Sequence, residues 1–394
     1  MLFLEKRNNL CRWIIGIFFV LYIFGMLVFN ILNPSREFSE SENRKLEQKP
    51  QFCLDSLIKG KFTKNYEEYI SDQFFLRDFW IGVKSNGERL IGKKENNGVY
   101  LGKDGYLFQK FNRPEENKIK DIVESINSFS SLNPEVNKYL MVVPNSTKIL
   151  EEKLPSFACD EDQIMYINKL KKYIKKDVKF VDVYNELSSK KDEYIFYKTD
   201  HHWTTKGAYY AYKKLIKDMG FTPHKKEYFN VKNVTNSFYG SLYSKSGFRN
   251  IEPDSIQIYT PKTNEKSKVW YYDKIRDGSE NKTVAKDKEY DSIYKMENIN
   301  KKDKYTIFFN GNHSLVKINS DIKTNKKLLV VKDSYANCLV PFLTGHYDEI
   351  YVVDLRYYNE NLQKLIKSNR INDVLILYNA KSFFEDDSID NICE

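Results

Sequence analysis

The sequence predicts an α/β protein: a mostly parallel sheet with helices on both faces, a large irregular insertion and an N-terminal transmembrane helix. Three observations carry this expectation. Short, continuously apolar runs alternate with segments of helical period, as strands buried on both faces alternate with crossover helices. From about 221 to 325 that alternation lapses. Near the start, Trp13 to Leu32 (WIIGIFFVLYIFGMLVFNIL) holds no charge and one polar residue, Asn30.

At 1.5 Å per residue this last run spans roughly 30 Å, the hydrocarbon thickness of a bilayer. Lys6, Arg7 and Arg12 precede it. The positive-inside rule therefore predicts a cytoplasmic tail over 1–12, a transmembrane helix over 13–32 and an extracytoplasmic remainder, a single-pass protein of the cell membrane. A cleaved signal peptide is the competing reading, against which the run is long and no small-x-small site follows it. Net charge is +9, but outside the cell a basic chain does not imply a nucleic-acid partner, and none is expected. The lysines read as solvated surface, or as a face toward anionic lipid or wall polymer. With 41% hydrophobic and 15% aromatic residues, the chain has ample material for a packed core. Of five cysteines, Cys11 lies at the membrane edge, and no CxxC spacing pairs Cys53, Cys159, Cys338 and Cys393. The compartment permits disulfides and the pattern does not indicate them.

Residues 33–97 read as a tether and helical stem. NPSREFSESENRKLEQKP is polar, and Leu54 to Leu90 is amphipathic with Phe74, Phe75, Phe79 and Trp80 as packing residues. A main domain is expected over 98–385. VYLGKDGYLF (Val99 to Phe108) alternates around Lys103-Asp104-Gly105 and reads as a hairpin. Ile119, Ile122, Val123, Ile126 and Phe129 share a helix face, as do Ile164, Ile167, Leu170 and Ile174. The buried strands are KYLMVVPN from Lys138, VKFVDV from Val178, KLLVVKDS from Lys327, EIYVVDLR from Glu349 and DVLILYN from Asp373, with a further helix around Leu362 to Ile366. The tyrosine-rich insertion over 221–325 is irregular or antiparallel, and faces either carbohydrate or solvent.

Open parallel sheets bind ligands beyond the carboxyl ends of their strands. Asn145, Asp200 to Trp203, Asp333 with Ser334, and Asp354 with Arg356 are expected there. Ser334 falls at a strand-to-helix turn, where backbone N–H groups can receive an oxyanion or where a serine simply caps the helix YANCLVPFL. A serine nucleophile needs an imidazole, and the imidazole needs a carboxylate on its other nitrogen. On an extended chain Asp200 and His202 share a face while His201 points elsewhere. Thr204 or Thr205 is expected to cap the next helix, and Trp203 to pack at its start. The metal reading of Asp-His-His would draw on His313 as a distant ligand, but it lacks helical i, i+4 spacing and a cysteine or carboxylate cluster. Two structural histidines remain a further reading. In NGNHS (Asn310 to Ser314) Asn312 offers an amide donor or belongs only to a turn, and Arg356 either reaches a substrate or pairs with Asp354.

These blocks, in this order, resemble the DHHW protein family, named for the motif at Asp200, His201, His202 and Trp203. The shared blocks are SENRKLEQKP, GVYLGKDGYLF, VPNSTKI, TDHHWTTKGAYYAY, NGNHS, KDSYANCLVPFL and VVDLRYY. The family is similar to SGNH-hydrolase-like proteins, among them the alginate O-acetylation proteins. The resemblance implies an SGNH-like, flavodoxin-like sheet and a triad of Ser334, His202 and Asp200. It also implies an extracytoplasmic O-acetyltransferase acting on a cell-surface polysaccharide, supplied by a membrane-bound O-acyltransferase partner, with no cofactor and no metal. Backbone N–H of Ser334 and Asn312 would hold the oxyanion; Arg356, Asn145 and the insertion would face substrate. A glycan acetylesterase with the same triad, and a non-catalytic glycan-binding or assembly protein, are the alternatives. Two positions depart from the alginate-type pattern: His201 replaces a small residue, and Lys332 replaces a glycine whose open backbone would have served the oxyanion.

Overall fold

A computed structural model describes residues 2–263, 266–277, 280–285 and 289–393. The chain divides into two units, Met1–Lys93 with Gly247–Arg249, and Lys94–Ser246 with Asn250–Glu394. In the first, helix Leu2–Leu32 contains a 22-residue stretch, Cys11–Leu32, with mean hydropathy 2.6 and none of its apolar window buried. It is long and apolar enough to cross a membrane, as anchors and signal sequences both are.

Helices Leu54–Ile58, Lys61–Asp72 and Arg77–Leu90 follow. Buried Asp72 takes a bidentate grip from Arg44, at 2.5 and 2.8 Å, and a third bond from the Glu47 N–H. Asn30, the one polar residue of the apolar run, accepts the Phe75 N–H at 2.8 Å. Phe79 does not pack as expected, being 57% exposed. Neighbouring positions on a helix point about 100° apart, so Phe79 and Trp80 cannot both turn inward.

The second unit is built on an eight-stranded sheet. Five strands run parallel, in the order Glu349–Val353, Lys327–Lys332, Asp373–Asn379, Asn137–Val143 and Val178–Phe180. These are the five apolar runs of the sequence. Alternate residues feed opposite faces. Met141, Val143, Leu328, Val330, Leu375 and Leu377 join one core with the helix Thr205–Asp218. Leu140, Val142, Leu329, Val331, Val374 and Ile376 join the other, against helices Glu116–Leu132, Gln163–Tyr173 and Leu362–Asn369.

Part of the stretch 221–325 belongs to this sheet. Leu315–Ser320 pairs antiparallel with Glu349–Val353, Ser267–Asp277 pairs with it, and Glu280–Ala285 closes that edge. Val269, Tyr271, Val316 and Ile318 are the inward residues, each separated by a polar or half-buried one. This is the period of a half-covered strand, and continuous apolar runs do not reveal it. Phe229–Phe238 and Asp254–Pro261 form a separate antiparallel pair. Val99–Leu101 and Leu107–Gln109 pair as a hairpin.

Candidate active site

Lys327–Lys332 ends at Asp333, and Ser334 opens a 3-10 turn, Ser334–Cys338. The segment expected as one helix is two such turns, the second being Val340–Phe342 around Pro341. Proline lacks the N–H that a continuous helix would use there. Asp333 caps the first turn, accepting the Tyr335 N–H at 2.9 Å, and its other oxygen takes the Asn379 N–H and amide at 3.0 and 2.6 Å. With capping done by Asp333, the Ser334 hydroxyl is available to its neighbour. As first residue of the turn, Ser334 also has no partner for its N–H within that turn.

The neighbour is His202, whose Nε2 lies 2.8 Å from Ser334 Oγ. On the far side, His202 Nδ1 is 2.5 Å from Asp200 Oδ1. Asp200 and His202 are 4% and 5% exposed, while Ser334 is partly open. The His202 ring lies flat on Tyr305, centroids 3.8 Å apart at 13°, and the Tyr305 hydroxyl donates to the Ser334 carbonyl at 3.1 Å. Trp203 is fully buried and donates from Nε1 to the Tyr335 carbonyl, and the Tyr335 hydroxyl donates to the His201 carbonyl. The two motif segments are thus stitched across 132 residues of sequence. Thr204 caps the following helix through Gly207 N–H.

Asp200 is shaped by its own backbone. Its Oδ1 accepts the His202 N–H two residues on, an Asx turn, and Oδ2 accepts the Ser241 N–H at 2.7 Å. That turn overturns the expected alternation. The segment bends rather than extends, so His201 does not face away: its ring lies 3.8 Å from that of His202 and its Nδ1 meets Ser241 Oγ at 2.8 Å. Burial alone would raise the Asp200 carboxyl, but the facing His202 and His201 rings and these hydrogen bonds hold it well below the usual carboxylate range. Burial, reinforced by His202, lowers His201 to about 4.

Gly240 is the signal that sequence reading missed. Any Cβ there would fall on the Asp200 side chain, so only glycine admits the acid at this depth. Nothing in the local sequence marks it, because the contact is with a residue forty positions earlier.

The other expected residues divide. Lys332 does not crowd the turn: its buried chain runs to Asn312 Oδ1 at 2.8 Å and Asp354 Oδ2 at 3.3 Å. Asn337, in the Ser334 turn, donates to the same Asn312 oxygen at 3.1 Å. Arg356 grips Asp354 through Nε and a terminal nitrogen at 2.8 and 2.6 Å, with 31% of its side chain exposed. Asn145 is buried and bonds instead to Thr147 and Gln163 through its side-chain oxygen, because a strand ending under a short helix must satisfy its own polar groups. His313 is tied to Asp273 and the Phe309 carbonyl. Asp200, His201 and His202 hold one potential metal-ligand atom each within 4.8 Å. An ion there would have to displace the Asp200–His202 bond. The five cysteines are unpaired.

Five parallel strands in a sheet covered on both faces, with Ser334 just beyond the carboxyl end of Lys327–Lys332, make this an SGNH-like α/β fold. The DHHW protein family model matches residues 94–353, and the chain belongs to that family. Among solved structures, a DHHW family protein from Eubacterium siraeum DSM 15702 is similar at 25% identity, over 75% of this chain and 95% of that one, with TM-score 0.63. Bacillus cereus PatB1, solved with a sulfonyl adduct, is similar at 22% identity over 75% and 98% of the two chains, TM-score 0.62. The O-acetyltransferase domain of Pseudomonas putida AlgJ matches at 16% identity over 73% and 92%, TM-score 0.43. No curated sequence relative matches the chain.

Proposed function

We propose that the second unit is an O-acetyltransferase that moves an acetyl group onto a cell-surface polysaccharide, held outside the membrane by the uncleaved N-terminal helix. The observation that carries this reading is the 2.8 Å approach of His202 Nε2 to Ser334 Oγ with Asp200 on Nδ1. Ser334 Oγ attacks the acetyl carbonyl as its proton passes to His202 Nε2. The carbonyl π electrons move to oxygen, and the Ser334 N–H and Asn312 Nδ2 face that oxyanion. Collapse expels the donor's leaving oxygen, which takes the proton from His202 and leaves an acetyl ester on Ser334. A sugar hydroxyl then gives its proton to His202 and attacks the ester carbonyl, and as the bond from the acetyl carbon to Ser334 Oγ breaks, that oxygen takes the proton back from His202. Asp200 holds one tautomer and offsets the imidazolium charge throughout. A membrane-bound O-acyltransferase would supply the acetyl group from the cytoplasmic side, and Arg356 would face the sugar.

The test is turnover of a chromogenic acetyl ester by the full chain in detergent, with and without a sugar acceptor. Acetylated acceptor supports transfer, and water as the sole acceptor assigns the esterase instead. Ser334→Ala should reduce turnover by roughly 10⁴-fold or more. A loss under about tenfold, far below what a nucleophile accounts for, removes the triad, and a parent with no turnover leaves the glycan-binding protein.

A further inference from the structure

The triad is bordered by two segments far apart in sequence, each tied to a different catalytic group. One is the turn at Tyr239 to Ser241 leading into the short helix Ser241–Ser246. Gly240 N–H binds Thr199 Oγ1 at 3.0 Å, Ser241 N–H binds the Asp200 carboxylate at 2.7 Å, and Tyr243 N–H binds the Thr199 carbonyl at 3.0 Å. The other segment is Lys302 to Tyr305, whose tyrosine stacks on His202 and bonds the Ser334 carbonyl. Their outer side chains converge. Tyr239 and Tyr243 are both half-buried, with ring centroids 4.4 Å apart at 36°. Lys302 Nζ stands 5.7 Å and 5.6 Å from the two centroids.

We propose that Tyr239, Tyr243 and Lys302 form the acceptor subsite, taking a sugar ring that bears an anionic substituent. This rests on the transfer reading above and names the substrate class of the same site. The tyrosines offer flat apolar faces that bury the C–H face of a sugar at little cost in side-chain freedom. Lys302 places a cation beside both rings, where an anionic substituent of a sugar lying on them would meet it. Both backbone segments are fixed by the triad's own hydrogen bonds, so the subsite is organised before substrate arrives. Asp303 follows Lys302 and carries the opposite charge, with burial and then the Asp200 carboxylate pushing its carboxyl up. The anionic preference is therefore read from Lys302 by its own substitution.

The experiment measures acetyl transfer by the full chain to two oligosaccharides of equal length, one of uronic acids and one of the neutral sugars. The parent, Tyr239→Ala, Tyr243→Ala and Lys302→Gln are compared, and each preparation's transfer is expressed relative to its own rate of acetyl-serine formation. The tyrosine variants should raise the acceptor KM by roughly threefold to tenfold for both oligosaccharides. Lys302→Gln should erase the parent's preference for the uronate, a preference that also shrinks as salt is raised. Acceptor KM values unchanged in both tyrosine variants overturn the subsite, and a parent with no uronate preference overturns its charge selectivity. A parent that forms no acetyl-serine instead overturns the transfer reading, so the two failures are separable.

Discussion

Lys332 Nζ and Asn337 Nδ2 both donate to the side-chain oxygen of Asn312, at 2.8 and 3.1 Å. A lysine ammonium only donates, so this contact decides which way the Asn312 amide is turned. Its oxygen is taken by these two donors, which leaves the NH₂ as the group proposed to face the oxyanion. Under that proposal the lysine that stands in place of an open glycine acts on the hole through a neighbour. Asn312→Ala should lower kcat by roughly 10²-fold with little change in KM, as loss of one oxyanion donor does. Lys332→Met should lower kcat in the same way, Asp354 keeping its bidentate Arg356, while Lys332→Arg should restore part of it. The double variant should be no slower than Asn312→Ala alone. Additive losses would show that Lys332 acts elsewhere.

Gly240→Ala should cripple catalysis without unfolding the chain. The new methyl would meet the Asp200 side chain, and the Asx turn that aims His202 would shift. A displacement near 1 Å costs on the order of 10²-fold in rate. Turnover and the far-ultraviolet circular dichroism spectrum, taken on one preparation, check this; full activity in a folded variant contradicts it.

Asp200→Asn should drop kcat by about 10⁴-fold, because an amide in that position stabilises the wrong imidazole tautomer. The readout is single-turnover acetylation of Ser334. A loss below about a hundredfold would leave Asp200 as a mere structural partner.

Stability should fall on mild acidification. Burial, and then the His224 ring, hold His346 down at about 4, and its Nε2 meets the Tyr212 hydroxyl at 2.8 Å. Below about 6.5, the ordinary value, the unfolded chain gains a proton that the folded chain refuses. The contribution of neutral His346 is therefore complete above about 6.5 and is lost progressively toward about 4. Asp200, depressed in the fold, adds its own loss only below about 4. The melting temperature of the parent should drop between pH 7.5 and pH 5, and that of His346→Gln should drop less; equal drops would contradict the assignment.

The legible parts of the sequence were those in which one local period carries one structural outcome. Four of the five parallel strands are buried on both faces, and their continuous apolar runs announce them; the fifth, Val178–Phe180, lies at the edge with Lys179 exposed. The meeting of Ser334, His202 and Asp200 was legible because a serine, an imidazole and a carboxylate suit one another chemically. The strands of the antiparallel edge were not, since Val269, Tyr271, Val316 and Ile318 alternate with half-buried Trp270 and Lys317 in a stretch that reads only as irregular or antiparallel. His201 was misplaced because strand alternation was applied to a segment that Asp200 folds into a turn. Asn145 lies at a strand end as expected, yet position on a strand does not reveal that Gln163 and Thr147 consume its oxygen. Gly240 and the partners of Lys332 depend on contacts made only after the chain has folded.

The most direct test of the account is covalent capture of the nucleophile. The full chain is treated with an arylsulfonyl fluoride, which reacts with a serine hydroxyl only where a base has activated it, and its peptides are sequenced by mass spectrometry. One sulfonyl group per chain is expected, on Ser334, lost in Ser334→Ala and formed far more slowly in Asp200→Asn. An unmodified Ser334 under conditions that label a known serine hydrolase to completion, or labelling that is indifferent to Asp200, would contradict the triad.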